Sequence, residues 1–436
     1  MRKTIIIGAV LLALAVSAAR AETPVPDAAA SDPAGLGWMQ GTPPAAEKRI
    51  AFADGSYFTF PKTRWSFSNW RTFYPTAAVR RGAAKAHFFP RKERGDLEAV
   101  TFTPLGRTAP MTWKASLAAN YTDGIVVLHR GRIVYERYFG VTAPQSQHIA
   151  FSVAKSFVGV IAASLIAEGV IDETATVARY APELAASGFG DASVRHVLDM
   201  TTAVAFDEHY GAPDSTIALY SVAGRLLPRP VNYQGPEGLL DFAATLPKAG
   251  EHGERFAYRT VNTDLLAWIV ARASGKTVLQ HLEERFWSKL GMEEDASVVV
   301  VGTGTPFWGG GLALSLRDLA RFGELMRLGG KWKGEQLIPE AAIADILKGG
   351  DRAGFAKNGA YPTLPGWSYR NQWWIAHDDH GAFMARGIHG QAIYIDPKAE
   401  MVIARFASHP LAGNVNLDPT SLPAYRAIAA HLTARR

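Results

Sequence analysis

The sequence contains no cysteine and only a small excess of one charge. The absence of thiols excludes disulfides, thiolate-bound structural zinc, thiol catalysis and a lipidated N-terminal cysteine. The 46 basic and 40 acidic residues give a formal charge of +6 over 436 residues, and no lysine- or arginine-rich cluster accompanies it. A nucleic-acid partner is therefore not indicated, and the fold must be stable from its core alone.

Long apolar runs are also scarce, and none after the first 21 residues is suited to a transmembrane helix. The early run Ile5–Val16 has 12 residues, follows Arg2 and Lys3, and precedes the small-x-small sequence Ala19-Arg20-Ala21. This pattern is typical of a secretory signal peptide over residues 1–21; the alternative is an uncleaved membrane anchor. Cleavage would remove three basic residues and lower the net charge to +3. We therefore expect an exported protein, periplasmic or secreted, without a membrane span after signal removal.

What the sequence does contain is typical of a large globular protein, with 48% hydrophobic and 20% charged residues. The length allows one large or two to three ordinary domains. Residues 22–48 are rich in Ala, Pro and Gly and predict a flexible leader. Residues 49–115 hold many aromatics without a long period, which favours a small subdomain or a wrapping segment. Regular patterning begins near residue 116, so the main domain is predicted at 116–436.

Strand patterns lie at both ends of this main domain. Gly124–Leu128 and Ile133–Tyr138 flank a glycine-containing turn and predict a hairpin. Gln391–Ile395 and Met401–Phe406 are β-rich runs joined by the turn sequence Asp396-Pro397-Lys398. The region between them is dominated by helical patterns. Helices are predicted over Phe151–Ile171, from Val194 to Met200, and over Thr263–Ala273, Leu316–Leu328 and Ser421–Thr433. The arrangement predicts an α/β (α+β layered) domain whose sheet joins N- and C-terminal strands.

The short motif with the clearest chemistry is Ser152-Val153-Ala154-Lys155, at the predicted start of the first long helix. Residues three apart share a helix face, so the amine can reach the hydroxyl. A serine hydroxyl needs a base to become a good nucleophile, and a desolvated lysine has a lowered pKa. Free backbone N–H groups at the helix start can also stabilise negative charge on an attacked carbonyl. The spacing alone is common on solvated helices, but Lys155 is flanked by apolar residues and needs a partner or a chemical role.

Several further motifs, in this order and spacing, make the chain resemble the serine β-lactamase and penicillin-binding-protein superfamily. Within it, the chain looks most like the class C-like esterase branch that includes the 6-aminohexanoate-dimer hydrolases. The motifs are Leu198–Thr202, Phe256–Tyr258, Asn262–Leu266, Gly309–Leu312, Arg317–Phe322 and Gly387–Gln391. The resemblance covers about residues 116–436. It implies a β-lactamase/transpeptidase-like fold, with an antiparallel sheet flanked by helices and an additional all-helical region.

The resemblance also implies roles for individual residues. Ser152 would be the acylated nucleophile, Lys155 its proton-transfer partner, and Tyr258 a general acid/base. The backbone N–H groups of Ser152 and Ile388 would form the oxyanion hole. Gly387 would allow the backbone and the substrate to approach closely. The alternatives are an ordinary strand glycine at 387 and a structural tyrosine at 258.

Two tyrosines carry further expectations. A phenol near an ammonium group ionises more easily, so we expect the pKa of Tyr258 to be lowered by Lys155. Tyr210 lies in a loop between helices and, by resemblance, would contact the substrate; the alternative is a surface tyrosine.

The chain also departs from the family pattern. Thr260 stands where Asn or Ser is usual, and Ala385-Arg386-Gly387 replaces Lys-Thr-Gly. The missing lysine weakens binding of a β-lactam carboxylate, unless Arg386 or His389 substitutes for it. His389 is thus a predicted substrate-binding residue. The departures favour ester or amide substrates over antibiotics.

The sequence therefore predicts a secreted serine hydrolase that acts on a small-molecule ester or amide through an acyl-enzyme on Ser152, without metal or organic cofactor. The alternatives are a penicillin-recognising sensor without turnover, a DD-peptidase and a true β-lactamase. The run 377–380 (His-Asp-Asp-His) has metal-ligating residue types, but also suits a polar turn between strands. No Gly-x-Ser-x-Gly motif occurs, which counts against an α/β-hydrolase. The oligomeric state stays open.

Overall fold

The computed structural model describes residues 25–434, so the predicted signal peptide at residues 1–21 lies outside the described residues. The strands are β1 (Thr76–Val79), β2 (Thr101–Phe102), β3 (Met111–Thr112), β4 (Thr122–His129), β5 (Arg132–Tyr138), β6 (His148–Ile149), β7 (Ala296–Val299), β8 (Leu312–Leu314), β9 (Lys331–Trp332), β10 (Glu335–Gln336), β11 (Ser368–Arg370), β12 (Trp373–Ile375), β13 (Phe383–Gly387), β14 (Gln391–Asp396) and β15 (Met401–Ala407). The α-helices are α1 (Pro33–Leu36), α2 (Thr63–Ser66), α3 (Trp113–Ala119), α4 (Val153–Ala167), α5 (Val177–Tyr180), α6 (Val194–Leu198), α7 (Thr216–Ala223), α8 (Leu239–Thr245), α9 (Val261–Ser274), α10 (Val278–Leu282), α11 (Leu316–Arg327), α12 (Glu340–Lys348), α13 (Arg352–Ala356) and α14 (Asp418–Ala434). No helix within residues 25–434 is long and apolar enough to cross a membrane.

A seven-stranded antiparallel sheet forms the centre of the fold, in the order β11-β12-β13-β14-β15-β4-β5. The late strand β15 pairs with the early strand β4, with Ile403 opposite Val127. The predicted union of N- and C-terminal strands is thus confirmed. The β4–β5 hairpin turns at Arg130 and Gly131, whose φ angles of 52° and 69° are both positive. Two positive φ angles match the twist of a tight hairpin, which explains the glycine in this turn.

Helices cover both faces of this sheet. In β4, Val126 and Leu128 belong to the core shared with α4 and α11. Ile125 and Val127 belong to the opposite core, shared with α3 and α14. Side chains alternate between the faces of a strand. A strand covered on both faces therefore has a continuous apolar sequence, as this one does.

The chain between β6 and β7 supplies helices α4 to α10, in agreement with the predicted all-helical region. Helix α4 contacts α9 and α12 as well as strands β13 and β14. It covers Val153–Ala167, a shorter span than the predicted Phe151–Ile171. It starts later because Phe151 has a φ of 45°, outside the right-handed helical region. It ends earlier because the chain turns at Gly169, which has a φ of 74°.

The aromatic-rich N-terminal segment packs directly against this helical region. Tyr57, Phe67 and Trp70 are buried in the same core as Phe151. Strand β1 belongs to a second antiparallel sheet, in the order β1-β7-β8-β6. Because β6 directly precedes the Ser152 turn, this sheet ties the N-terminal segment to the start of α4.

A close approach at Gly159 fixes the position of α4. A Cβ atom at this residue would lie 2.1 Å from the Asn371 carbonyl oxygen and 2.8 Å from the Gln372 Cβ. We expect Gly159→Ala to lower the free energy of unfolding by about 2–3 kcal/mol, as overpacked core substitutions do. Urea denaturation would measure it. Gly95→Ala is the control, since a Cβ there meets nothing within 4 Å. Equal stability of the two variants would contradict the argument.

Candidate active site

Ser152 lies in a tight turn directly before α4, and its φ of −65° and ψ of −6° already approach helical values. The preceding Phe151 has a positive φ, which is uncommon for a bulky residue and costs conformational free energy. Its ring packs 4.9 Å from that of Phe67 and 5.5 Å from that of Trp70, measured between centroids. Packing by the N-terminal aromatics thus holds the turn that presents Ser152.

The Lys155 side chain is buried one helical turn further on, with only 1% exposure. Its Nζ donates to Ser152 Oγ at 2.9 Å and also to the Gly309 carbonyl. Burial lowers the pKa of Lys155 to about 8, although the carboxylates of Glu208 and Asp264 oppose this shift. A neutral amine is therefore accessible near physiological pH, and it lies at the distance needed to accept the hydroxyl proton.

Asp264, in the first turn of α9, anchors the peptide that Lys155 contacts. Its Oδ1 accepts hydrogen bonds from the N–H groups of Trp308 (2.8 Å) and Gly309 (3.1 Å), and its Oδ2 accepts one from the Tyr220 hydroxyl (2.8 Å). Burial raises the pKa of Asp264 to about 6, against the opposing effect of these hydrogen bonds and of Lys155. The carboxylate is thus positioned to hold the Gly309 carbonyl toward Lys155.

The position of Asp264 at the start of an apolar helix was a sequence signal that this residue has a role. The residue lies within the family-like motif Asn262–Leu266, yet no role was predicted for it. An acidic residue at the start of an apolar helix needs a partner for the same reason that Lys155 does. Two such opposite charges in one domain indicate a buried pair. What the sequence could not show is that Trp308 and Gly309 supply the intervening peptide.

Tyr258 lies in the loop before α9, and its ring stacks on Trp374 with centroids 5.8 Å apart. The Lys155 Nζ lies 5.1 Å from the centroid of the Tyr258 ring. Burial raises the pKa of Tyr258 well above its usual range, and the Glu208 carboxylate raises it further, whereas a hydrogen bond with Ser152 lowers it. The expected easier ionisation of Tyr258 is therefore wrong, because desolvation of the phenolate dominates. At neutral pH this side chain is a proton donor.

The end of β13 lies against the Ser152 turn. A Cβ atom at Gly387 would lie 2.5 Å from the Ala150 carbonyl oxygen, so glycine is required for this approach. Ile388 follows and, together with Ser152, lines one cavity. Within the described part of the chain, the backbone N–H groups of Ser152 and Ile388 have no acceptor. Two unpaired donors beside one hydroxyl can receive a developing oxyanion.

Tyr210 lines the same cavity and is 40% exposed. Its hydroxyl donates to the Glu208 carboxylate, which also accepts from the Thr260 N–H. Glu208 thus links the loop that carries Tyr210 to the residues after Tyr258. The sequence motifs point to Tyr210 but to no role for Glu208. An acid two positions before a tyrosine in a loop carries no periodic signal that would single it out.

His389 is placed elsewhere, behind the cavity wall. Its ring lies 5.2 Å from that of Phe67 and 5.5 Å from that of Phe58, and its Nδ1 lies 2.6 Å from the His409 carbonyl oxygen. Burial lowers the pKa of His389 to about 4. The structure does not bring His389 together with Ser152 in the cavity, because a positive φ of 61° turns its side chain into the aromatic core.

The other predicted substitute for the missing lysine lies in a buried ion pair and keeps its Nη1 without a partner among the described residues. Arg386 is buried, donates to the Asp418 carboxylate, and stacks its guanidinium 5.0 Å from the Trp374 ring centroid. The run 377–380 forms a polar turn in which His380 Nδ1 lies 2.7 Å from Asp396 Oδ2. Among residues 25–434, no group of three or more His, Asp or Glu side chains could hold a metal ion.

Comparison with known proteins agrees with this architecture. The Beta-lactamase family model matches residues 116–420. The 6-aminohexanoate-dimer hydrolase of Paenarthrobacter ureafaciens is 33% identical over 350 residues, which cover 80% of this chain and 86% of that protein. The structure of a candidate 6-aminohexanoate-dimer hydrolase from Bacillus anthracis superimposes with a TM-score of 0.80 at 32% identity, over 90% of this chain and 99% of that one.

A more distant structure shares the fold alone. A penicillin-binding-protein homologue from Caulobacter crescentus has 16% identity and a TM-score of 0.51, over 70% of this chain and 92% of that one. The family match covers well over half of the chain, and the relative from Paenarthrobacter exceeds 30% identity over most of both proteins. The chain therefore belongs to the beta-lactamase family of serine hydrolases.

Proposed function

We propose that the protein is an exported hydrolase that cleaves ester or amide bonds of small molecules through an acyl-enzyme on Ser152. The observation that carries the proposal is the buried Lys155 amine, 2.9 Å from the Ser152 hydroxyl at the wall of an open cavity. The name of the Paenarthrobacter relative, a hydrolase of a 6-aminohexanoate dimer, supports the same class of reaction. The signal-like pattern of residues 1–21 supports export.

In the acylation step, neutral Lys155 accepts the Ser152 proton while Oγ bonds to the substrate carbonyl carbon. The N–H groups of Ser152 and Ile388 donate to the resulting oxyanion. When the tetrahedral intermediate collapses, the bond to the leaving group breaks and the leaving group takes a proton from the neutral Tyr258 phenol. The Lys155 ammonium, beside the Tyr258 ring, returns a proton to the phenolate.

Deacylation repeats these steps with water. Lys155 accepts a proton from a water molecule, whose oxygen bonds to the acyl carbon. The same two N–H groups stabilise the second oxyanion, and the bond to Ser152 Oγ breaks. The Lys155 ammonium donates its proton to Ser152 Oγ, which restores the neutral amine and the hydroxyl, and the acid product leaves. The raised pKa of Tyr258 fits this scheme, because the phenol must hold its proton until the leaving group needs it.

Intact-mass measurement tests the proposal on protein recovered from the periplasm or medium. We expect a mature chain that begins at Glu22 and, after brief mixing with a short-chain nitrophenyl ester, a Ser152-linked acyl adduct with continuing nitrophenol release. Peptide mapping locates the adduct. A stable penicillin adduct without turnover of any ester would instead indicate a penicillin-binding sensor. Recovery of the protein only from the cytoplasm, with residues 1–21 still attached, would contradict export while leaving the chemistry intact.

A further inference from the structure

The cavity beside Ser152 is lined mainly by apolar and aromatic side chains. Its volume is about 210 Å³. Among the described residues that line it there is no Asp, Glu, Lys, Arg or His. The polar side-chain groups at the wall are hydroxyls and the Trp70 indole N–H. A charged substrate group inside this cavity would lose its hydration without gaining a partner.

Much of the wall comes from the N-terminal aromatic segment. Tyr57, Phe58, Trp70 and Tyr74 all line the cavity. These residues precede residue 116, where the match to the family model begins. Their rings pack on one another, with centroids 5.2 Å apart for Trp70 and Tyr74 and 5.5 Å apart for Tyr57 and Trp70. This part of the wall is therefore a packed aromatic cluster that lies outside the segment matched by the family model.

The tyrosine hydroxyls in this wall are already engaged. Tyr57 and Tyr74 each place their hydroxyl within 2.8 Å of the Leu226 carbonyl oxygen, and the two hydroxyls lie 2.8 Å from each other. Ser221, on the opposite helix α7, donates to the Ile217 carbonyl. With these polar atoms paired inside the protein, the surface left for a ligand consists mostly of ring faces and methylene groups.

We propose that this cavity selects an uncharged, apolar substrate group of about six to eight carbons, and that the N-terminal aromatic segment sets this preference. The proposal rests on the proposed function. A cavity of ~150 Å³ lined by apolar side chains holds benzene. The remaining volume has room for about two more methylene-sized groups, taking the ~30 Å³ of a liquid water molecule as a guide. A phenylethyl group or a hexyl to octyl chain matches this size.

A series of esters with chains of two to twelve carbons tests the proposal. One set of esters varies the carbon chain of the acyl group, and the other varies that of the alcohol. The set whose kcat/KM depends on chain length shows which side of the ester enters the cavity. We expect kcat/KM to rise about threefold to fourfold per methylene and to level off near six to eight carbons. Chains that end in an ammonium or a carboxylate group should react at least about a hundredfold more slowly than neutral chains of equal length.

Two cavity variants test the role of the wall. Ala218→Phe would fill the cavity from α7, and the longest efficient chain should shorten by several carbons. Leu219→Phe, on the same helix but facing solvent, is the control and should leave the profile unchanged. Phe58→Ala enlarges the cavity from the N-terminal side and should move the optimum to longer chains. Phe88→Ala is its control, since Phe88 is 66% exposed and lies outside the cavity.

Failure of this inference can be told from failure of the proposed function. Ser152-dependent turnover with a flat chain-length profile, or with a preference for ammonium-ended chains, would overturn the selectivity and leave the hydrolase intact. Binding supplies a readout without turnover. In the Ser152→Ala variant, neutral N-methyl alkanamides and neutral N-alkyl acetamides are titrated calorimetrically, and in one of the two series the affinity should rise up to about six to eight carbons. No chain-length dependence in either series would overturn the inference whether or not any ester is hydrolysed.

Discussion

Replacing Ser152 by alanine is expected to lower kcat/KM for a neutral ester at least about a thousandfold, because the substitution removes the only group that the proposed mechanism acylates. Residual activity would come from the Ile388 and residue-152 N–H groups acting on a directly attacking water. Nitrophenol release measures the rate, and intact mass should show no adduct. Binding of the uncharged alkanamides should persist, since the cavity is unchanged.

The neighbouring Ser156 offers a matched control. Its hydroxyl donates to the Gln372 carbonyl at 2.6 Å and is buried away from Lys155 Nζ. Ser156→Ala should therefore retain activity within about threefold, at a cost of about 1 kcal/mol in stability from the lost hydrogen bond. Full activity of Ser152→Ala on every ester and amide tested would show that the mechanism is wrong.

Lys155→Met is expected to reduce kcat by about 10²- to 10⁴-fold, the usual contribution of a general base. The pH dependence of the native protein carries the same information. Burial lowers the pKa of Lys155 to about 8, and only the neutral amine can accept the Ser152 proton. Activity should therefore rise with pH through about 8 and fall below it as the ammonium form accumulates. A rate that is flat between pH 6 and 9 would contradict this assignment.

Asp264→Asn tests whether the neighbouring carboxylate influences the pKa and the position of Lys155. The Asp264 carboxylate raises the pKa of Lys155, so its removal lowers that pKa and moves the rising limb of activity to lower pH. The substitution also removes the carboxylate that holds the Gly309 peptide in place. The Gly309 carbonyl then positions Lys155 less well, which should reduce kcat. A merely structural role for Asp264 would lower the amount of folded protein without moving the limb.

The control for this shift is Asp207→Asn. Asp207 accepts hydrogen bonds from the Thr216 N–H and hydroxyl at the start of α7 and is not among the charges that raise the pKa of Lys155. Its substitution should leave the midpoint of the pH profile in place. A midpoint that moves equally in both variants, or to higher pH in Asp264→Asn, would show that the titrating group is not Lys155.

The sequence by itself determined the local elements around the site. The positive-φ turn at Arg130-Gly131, the left-handed glycine at Gly275 that ends α9, and the three-residue spacing of Ser152 and Lys155 depend on neighbours within one turn or hairpin. Apolar, β-rich runs next to turn residues also placed strands at both ends of the domain. Such features follow from backbone sterics and periodicity, which are written in adjacent residues.

Only the tertiary structure decided how the charges and the cavity are arranged. Asp264 reaches Lys155 through Gly309, 45 residues further along the chain, and Glu208 bonds to Thr260 from a separate loop. His389 turned into the aromatic core. These outcomes depend on burial and on contacts between distant segments, whose free energies no local pattern encodes.

Contacts between distant segments also explain why the N-terminal aromatics line the cavity and why the pKa of Tyr258 is raised. The N-terminal aromatics gave no period that would assign them a place, yet Trp70 packs on Phe151 and lines the cavity beside Ser152. Tyr258 was expected to ionise more easily beside an ammonium group, but its desolvation by surrounding rings proved larger. The sequence determined which chemical groups the chain holds one turn apart, and the packing of remote segments decided their protonation and the shape of the space they face.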